Sequence, residues 1–234
     1  MTVQANAATI PDMDSRSEKA AAVIGSNSPL GQALIEKCKS QGLALASVAV
    51  SENIKASGKN GSFILNWTSR SPLSAGTIVR SLTNQFSNME HVYIIYSPGV
   101  ENRAFHELPS SAIETIIDDQ VKGYTFLLKE LFALTRKKKN IFLHCIVYTG
   151  GSEILAPQDA AALGYVRSLI SSLFTFYQNE EILINGFESS SPDHEAFASF
   201  IQRQIFEVRN KINRKWFRFQ EKSNIFDPFK KART

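Results

Sequence analysis

The sequence is poor in the features that would settle a function quickly. Its 234 residues include only two cysteines, Cys38 and Cys145. These lie far apart and match no metal-ligand spacing, so neither a disulfide framework nor a cysteine-based metal site is expected. No apolar run approaches the roughly 20 residues that a membrane-spanning helix needs. No charged n-region followed by an apolar stretch opens the chain. The expectation is a soluble protein of a reducing cytoplasm, with no membrane partner. Charge of one sign is also scarce outside one place. The segment from Arg203 to Thr234 holds ten Lys/Arg against three Asp/Glu, so with a net charge of +4 the rest of the chain is slightly acidic. A basic tail attracts phosphate, and the aromatics within Lys215-Trp216-Phe217-Arg218-Phe219 have the character of a base-stacking platform. The simpler reading makes Trp216, Phe217 and Phe219 a partly buried strand or subunit contact with a solvated basic flank. Nucleic acid is therefore not expected as a partner. Lys137, Lys138 and Lys139 are read as cations at a helix C-terminus, where they complement the helix dipole.

What is present is a regular alternation of short apolar runs and amphipathic segments. With 43% hydrophobic residues the chain buries a substantial core as one domain. Residues 1–18 are polar and aperiodic and read as a flexible lead-in; 19–234 form the domain. Ala20 to Ile24 predicts a strand, Pro29 to Cys38 a helix with Leu30, Ala33, Leu34 and Cys38 on one side, and Leu43 to Val50 a second strand. Ser62 to Leu65 (strand), Ala75 to Phe86 (helix), Val92 to Tyr96 (strand), Ser110 to Thr135 (helix), Ile141 to Tyr148 (strand), Asp159 to Tyr177 (helix) and Ile182 to Gly186 (strand) continue the pattern. Strands that alternate with helices and are apolar throughout imply a parallel sheet covered on both faces. The predicted fold is a Rossmann-type, doubly wound, three-layer α/β/α domain.

The segment Val23-Ile24-Gly25-Ser26-Asn27-Ser28-Pro29-Leu30-Gly31 closes the first strand and opens the first helix. That is where a dinucleotide pyrophosphate meets backbone N–H groups and the positive end of a helix dipole. A βα turn without ligand is the alternative. Here the chain resembles the short-chain dehydrogenase/reductase family, whose turn reads Thr-Gly-x-x-x-Gly-x-Gly. Gly25 and Gly31 match its first and last glycines, while Pro29 replaces the middle one and removes an N–H. Asn66-Trp67-Thr68 falls where the family carries an Asp-Val-Thr-like segment near the adenine. Tyr96-Ser97-Pro98-Gly99 falls where it carries Asn-Asn-Ala-Gly, and only the glycine matches. Arg167-Ser168-Leu169 and Ile182-Leu183-Ile184-Asn185 resemble its later helix and strand. The resemblance spans roughly Ala20 to Gly186. It implies that any NAD or NADP would lie against Gly25, Ser26, Asn27, Leu30, Gly31, Asn66, Trp67, Ser97 and Gly99. Glu52 would favour NAD and Lys55 NADP, with no decision between them.

The family's chemistry needs a tyrosine acid/base, a lysine four residues later that lowers the phenol's pKa, a serine that orients the substrate, and a helix asparagine. Residues i and i+4 share one helix face, which puts ammonium beside phenol. Four residues after Tyr93, Tyr96, Tyr124, Tyr148, Tyr165 and Tyr177 stand Ser97, Val100, Leu128, Ser152, Leu169 and Glu181, and none is lysine. Anchored on Arg167-Ser168-Leu169, the tyrosine position falls near Leu155 and the lysine position near Asp159. The serine position falls near Cys145 or Ile146, and the asparagine position near Gln120. A leucine transfers no proton, and a carboxylate raises a neighbouring phenol's pKa. Other candidates are weaker. His144 and Cys145 are successive strand residues facing opposite sides. His106 and Glu107 read as exposed loop, and Asp118 and Asp119 diverge on a helix.

The first expectation is therefore a noncatalytic member of this fold, a subunit or scaffold that pairs with itself or with an active homologue. The family resemblance implies that such pairing runs through the helices Ser110 to Thr135 and Asp159 to Tyr177; the second carries Ala160, Ala161, Ala162, Gly164 and Ser168. The alternatives are an NAD(P)-dependent oxidoreductase of ketoreductase type with replacement residues, and a nucleotide or metabolite sensor that binds without turnover. No metal is expected.

Overall fold

The computed structural model describes residues 19–50, 63–99, 103–151, 154–207 and 213–220. The lead-in 1–18, Glu52, Lys55 and most of the basic tail lie outside these residues. Seven parallel strands form one sheet: β1 (Ala20–Ile24), β2 (Ala44–Val50), β3 (Phe63–Trp67), β4 (Met89–Tyr96), β5 (Phe142–Tyr148), β6 (Leu183–Ser189) and β7 (Trp216–Phe219), in the order β3-β2-β1-β4-β5-β6-β7. This is the doubly wound three-layer α/β fold that the sequence pattern predicts. The chain winds outward from β1 to β3, then returns to place β4 against the other side of β1. A crevice results between β1 and β4 at the carboxyl ends of the strands, the usual ligand position in such sheets.

The period-two geometry of a strand divides each apolar run between two cores. Ile24, Ile94, Tyr96, Leu143, Cys145 and Val147 face one side, under α2 (Pro72–Gln85), α4 (Gly123–Lys137) and α5 (Pro157–Phe176). Val23, Tyr93, Ile95, Ile146 and Tyr148 face the other, under α1 (Pro29–Ser40) and α6 (His194–Phe206). Helix starts reuse one device. Ser28 and Ser71 accept the N–H of Gly31 and Ser74, and a proline follows each in the first turn, where its fixed φ fits and its missing N–H costs nothing. That cap starts α2 at Pro72, earlier than the apolar spacing from Ala75 indicates.

The expected helix from Ser110 to Thr135 is a composite. α3 (Ser110–Ile116) passes through a π-helical turn (Ile117–Lys122) into α4. α6 answers to no expectation from the sequence; Asp193 caps it, accepting from the Ala196 N–H at 2.8 Å. Trp216 to Phe219 forms the edge strand β7, with Phe217 stacked on Phe187 at 5.2 Å. Among the described residues no helix is long and apolar enough to cross a membrane.

Candidate functional site

The turn after β1 has the backbone expected of a glycine turn. Gly25 adopts φ +93°, a left-handed conformation that glycine accepts without strain. A Cβ on Gly31 would stand 2.3 Å from the Gly25 carbonyl oxygen and 2.8 Å from the Ser26 Cα, so the helix approaches the turn as closely as only glycine permits. The turn's hydrogen bonds, however, are satisfied from within. The N–H groups of Gly25 and Ser26 donate to the Val48 carbonyl and that of Ser28 to the Gly25 carbonyl. The Gly31 N–H donates to Ser28 Oγ at 3.0 Å, and Ser28 Oγ donates to the Gly25 carbonyl at 2.7 Å. Pro29 has no N–H, which leaves Asn27 and Leu30 as the turn's open donors among the described residues. The Asn27 side chain also clamps the last residue of β2: it accepts from the Val50 N–H at 3.1 Å and donates to the Val50 carbonyl at 3.2 Å. This bridge spans the gap between turn and β2 where a Rossmann site places a ribose.

Across the crevice, three polar side chains from three elements form a chain. Tyr96, the last residue of β4, donates its hydroxyl to Gln120 Oε1 at 2.9 Å. Gln120 Nε2 donates to Asp159 Oδ1 at 2.9 Å. Asp159 is 1% exposed and sits in the first turn of α5, where the helix dipole favours a carboxylate. The loop after β4 lies directly on this pair. A Cβ on Gly99 would come within 2.7 Å of Gln120 Nε2 and 3.2 Å of Asp159 Oδ1. Burial first, then Tyr124 and Asp159, raise the Tyr96 phenol above its ordinary value, so it remains a donor. A lysine beside a catalytic phenol would act in the opposite direction.

The π-helical turn positions this chain. It also carries Asp119, whose carboxylate at the pocket wall takes Arg70 Nε at 2.8 Å, Arg70 Nη2 at 2.9 Å and Ser69 Oγ at 2.7 Å. Asp118 instead pairs with Lys122 at 2.6 Å, so the two acids diverge as expected. Between Arg70, Thr68, Ser97, Gly99 and Gln120 remains a pocket of about 300 Å³, floored by Trp67 and Tyr124. Trp67 is fully buried, meets Tyr124 edge-on at 5.2 Å, and its indole N–H has no protein partner; Asn66 Oδ1, on the opposite face of β3, is likewise buried and unpartnered. Ser97 Oγ donates to the Tyr148 carbonyl at 3.0 Å.

The structure thus brings together Gly99, Gln120 and Asp159, and separately Gly25, Ser26, Asn27, Leu30 and Gly31. Leu155 is half-buried just before α5. Ile146 and Cys145 lie within β5, short of its carboxyl end, and their side chains enter opposite cores. His144 is a core residue paired with His91, Nδ1 of His91 to Nε2 of His144 at 3.0 Å. His106 and Glu107 occupy an exposed 3₁₀ turn. Sequence reasoning missed the Tyr96 hydroxyl and Arg70, although Gly123 marks the close approach of the π turn to Ser69. Among the described residues no cluster of His, Cys, Asp or Glu is placed to hold a metal ion.

The residues present do not fit a dinucleotide bound in the family's manner. The turn's donors are largely used, Asn27 bridges the ribose gap, and the crevice carries the buried acidic side chain of Asp159, near the position that counting from Arg167 gives for the lysine.

No protein-family model and no curated protein matches the sequence. Solved structures match along most of the chain. Levodione reductase superposes with a TM-score of 0.71 at 12% identity, over 86% of this chain and 96% of that one. An oxidoreductase of the short-chain dehydrogenase/reductase family from Brucella ovis, in complex with a partially ordered NAD, gives 0.68 at 13% identity, over 87% and 100%. Serine dehydrogenase from Escherichia coli gives 0.67 at 15% identity, over 86% and 96%. At these identities the likeness concerns the fold, and the chain has the fold of the short-chain dehydrogenases/reductases.

Proposed function

We propose that this protein is a noncatalytic subunit of the short-chain dehydrogenase/reductase fold that associates with a second copy or with an active chain of the same fold. The observation that carries this reading is the Gln120 amide, which ties the Tyr96 hydroxyl to the Asp159 carboxylate at the crevice, leaving neither group free for proton transfer. A closed polar chain is a stable element of a core, because breaking it strands buried donors and acceptors. The surface for association is the outer side of α4 and α5. Ala160, Ala161, Gly164 and Ser168 are exposed there, Phe176 is 80% exposed, and a groove of about 280 Å³ runs between Leu128, Phe132, Leu169 and Leu173. Small residues let a facing helix approach closely.

A second reading, an NAD(P)-dependent oxidoreductase or nucleotide sensor with a non-standard site, is favoured by the pocket beside Gly99 with its unpartnered Trp67 N–H. Titration with NADH and NADPH, followed by nucleotide fluorescence and thermal midpoint, separates the two. The noncatalytic reading expects no saturable change. A nucleotide that binds only the folded state adds about 2.7 kcal/mol at 100 times its dissociation constant; such a rise would overturn it, and turnover of a carbonyl substrate would then separate enzyme from sensor. Light scattering on the full chain should show an assembly that Ala161→Arg dissociates. A monomer that also captures no chain of this fold would sink the subunit proposal.

A further inference from the structure

A second cavity, of about 290 Å³, lies beyond the carboxyl ends of β5, β6 and β7, beside α5, and shares no lining residue with the crevice. Its apolar floor is Val147 and Leu163; its wall is polar and charged, with Thr149, Arg167, Glu188, Ser190 and Arg218. Glu188 is held between the two arginines: Arg167 Nη2 lies 3.1 Å from its Oε2, and Arg218 Nε contacts its Oε1. Its side chain is 16% exposed, so it is the innermost member of the trio.

Each guanidinium has more donors than this carboxylate uses. An arginine carries five N–H groups in a planar fork. Arg167 commits Nη2, and its Cζ lies over the Trp216 ring at 5.9 Å from the centroid, which leaves Nε and Nη1 without a hydrogen-bond partner among the described residues. Arg218 commits Nε, which leaves Nη1 and Nη2 in the same condition. The Thr149 and Ser190 hydroxyls have no partner among the described residues either. Two cations against one anion give the cavity a net charge of +1, which one further carboxylate neutralises. A phosphate dianion would overshoot. Bidentate guanidinium–carboxylate contacts combine charge with matching geometry.

We propose that this cavity binds a small organic monocarboxylate, its carboxylate on the open donors of Arg167 and Arg218 and its apolar body on Val147 and Leu163. The site is independent of the reading given to the crevice. Calorimetric titration of the full chain with sodium hexanoate at constant ionic strength tests it, with hexan-1-ol and inorganic phosphate as comparisons. Saturable hexanoate binding is expected, with no binding of the alcohol. Arg218→Gln, at a side chain 64% exposed, should weaken hexanoate about tenfold while leaving the thermal midpoint of the free protein nearly unchanged. Glu188→Gln removes the competing carboxylate and should tighten binding. Absence of hexanoate binding, equal binding by the alcohol or by phosphate, or indifference to Arg218→Gln would each overturn the assignment. Loss of binding in Glu188→Gln would do the same.

Discussion

The buried histidine pair sets an acid limit on stability that is readable from its surroundings. His91 and His144 are 6% and 1% exposed and lie among Tyr93, Phe142, Phe187 and Phe206, with the two imidazoles 5.3 Å apart centroid to centroid. One ring nitrogen donates to the other, and His144 Nδ1 has no partner. Burial pushes His91 down to about 4, and burial followed by the neighbouring His91 pushes His144 well below the usual histidine range. Because the folded values lie below the unfolded one near 6.5, the unfolded chain binds protons first as pH falls. The contribution is complete above about pH 6.5 and declines down to about pH 4. His91 alone removes about 2 kcal/mol between pH 7.5 and 5.0, since each pH unit below 6.5 takes ~1.4 kcal/mol, and His144 acts in the same direction. Urea unfolding at both pH values measures this. His91→Phe leaves both His144 nitrogens unpartnered and should cost about 1–3 kcal/mol at pH 7.5. The double variant His91→Phe/His144→Phe places two aromatic rings in an aromatic cage. It should regain most of that loss and show a shallower slope between pH 5.0 and 7.5. Equal slopes in wild type and double variant, or a single variant as stable as the double, would refute the reasoning.

Three further outcomes follow from contacts described above. Gly31→Ala drives a methyl into the Gly25 carbonyl and should destabilise the fold by about 1–3 kcal/mol or prevent folding, which urea titration or the soluble yield would show. Gln120→Ala strands the Tyr96 hydroxyl and removes one donor from the buried Asp159 carboxylate; a loss of about 2 kcal/mol is expected, and an unchanged urea midpoint would contradict the closed chain. Burial pushes the Cys38 thiol up to about 11 and the Cys145 thiol up to about 12, so a thiolate-seeking reagent at pH 8 should label neither in the folded protein and both after unfolding.

The sheet was legible because its strands are nearly uninterrupted apolar runs, and the order of βα units followed from chain order. The glycine turn was legible too, since Gly25 and Gly31 mark a left-handed residue and a close approach. α6 escaped notice although Phe197, Phe200, Ile201 and Ile205 recur at helical spacing, because its cap lies in the serine-rich stretch Ser189-Ser190-Ser191-Pro192-Asp193, which resembles a loop. Positions inferred by counting from Arg167 placed Asp159 and Gln120 in the crevice, yet their mutual hydrogen bond could not be anticipated. It depends on the π turn, and no local propensity announces the wider bonding of Ile117–Lys122. The counted serine position, Cys145 or Ile146, lies within β5 with both side chains in the cores. The arginine–glutamate trio was invisible for another reason: Arg167, Glu188 and Arg218 are distant in sequence and meet only when β7 joins the sheet edge.

The π turn also makes the polar chain at the crevice a matter of chain length as much as of side-chain identity. A single residue removed between Ile117 and Lys122 would let the segment relax to an ordinary α-helix, turning everything on one side of it by about 100° relative to the other. With α4 fixed in the core by Leu127 and Leu131, the rotation would fall on α3 and on Gln120 itself. The amide would then leave the space between Tyr96 and Asp159, and the link between phenol and carboxylate would be lost. A relative of this chain one residue shorter at that point would present Tyr96 and Asp159 without the amide that now joins them.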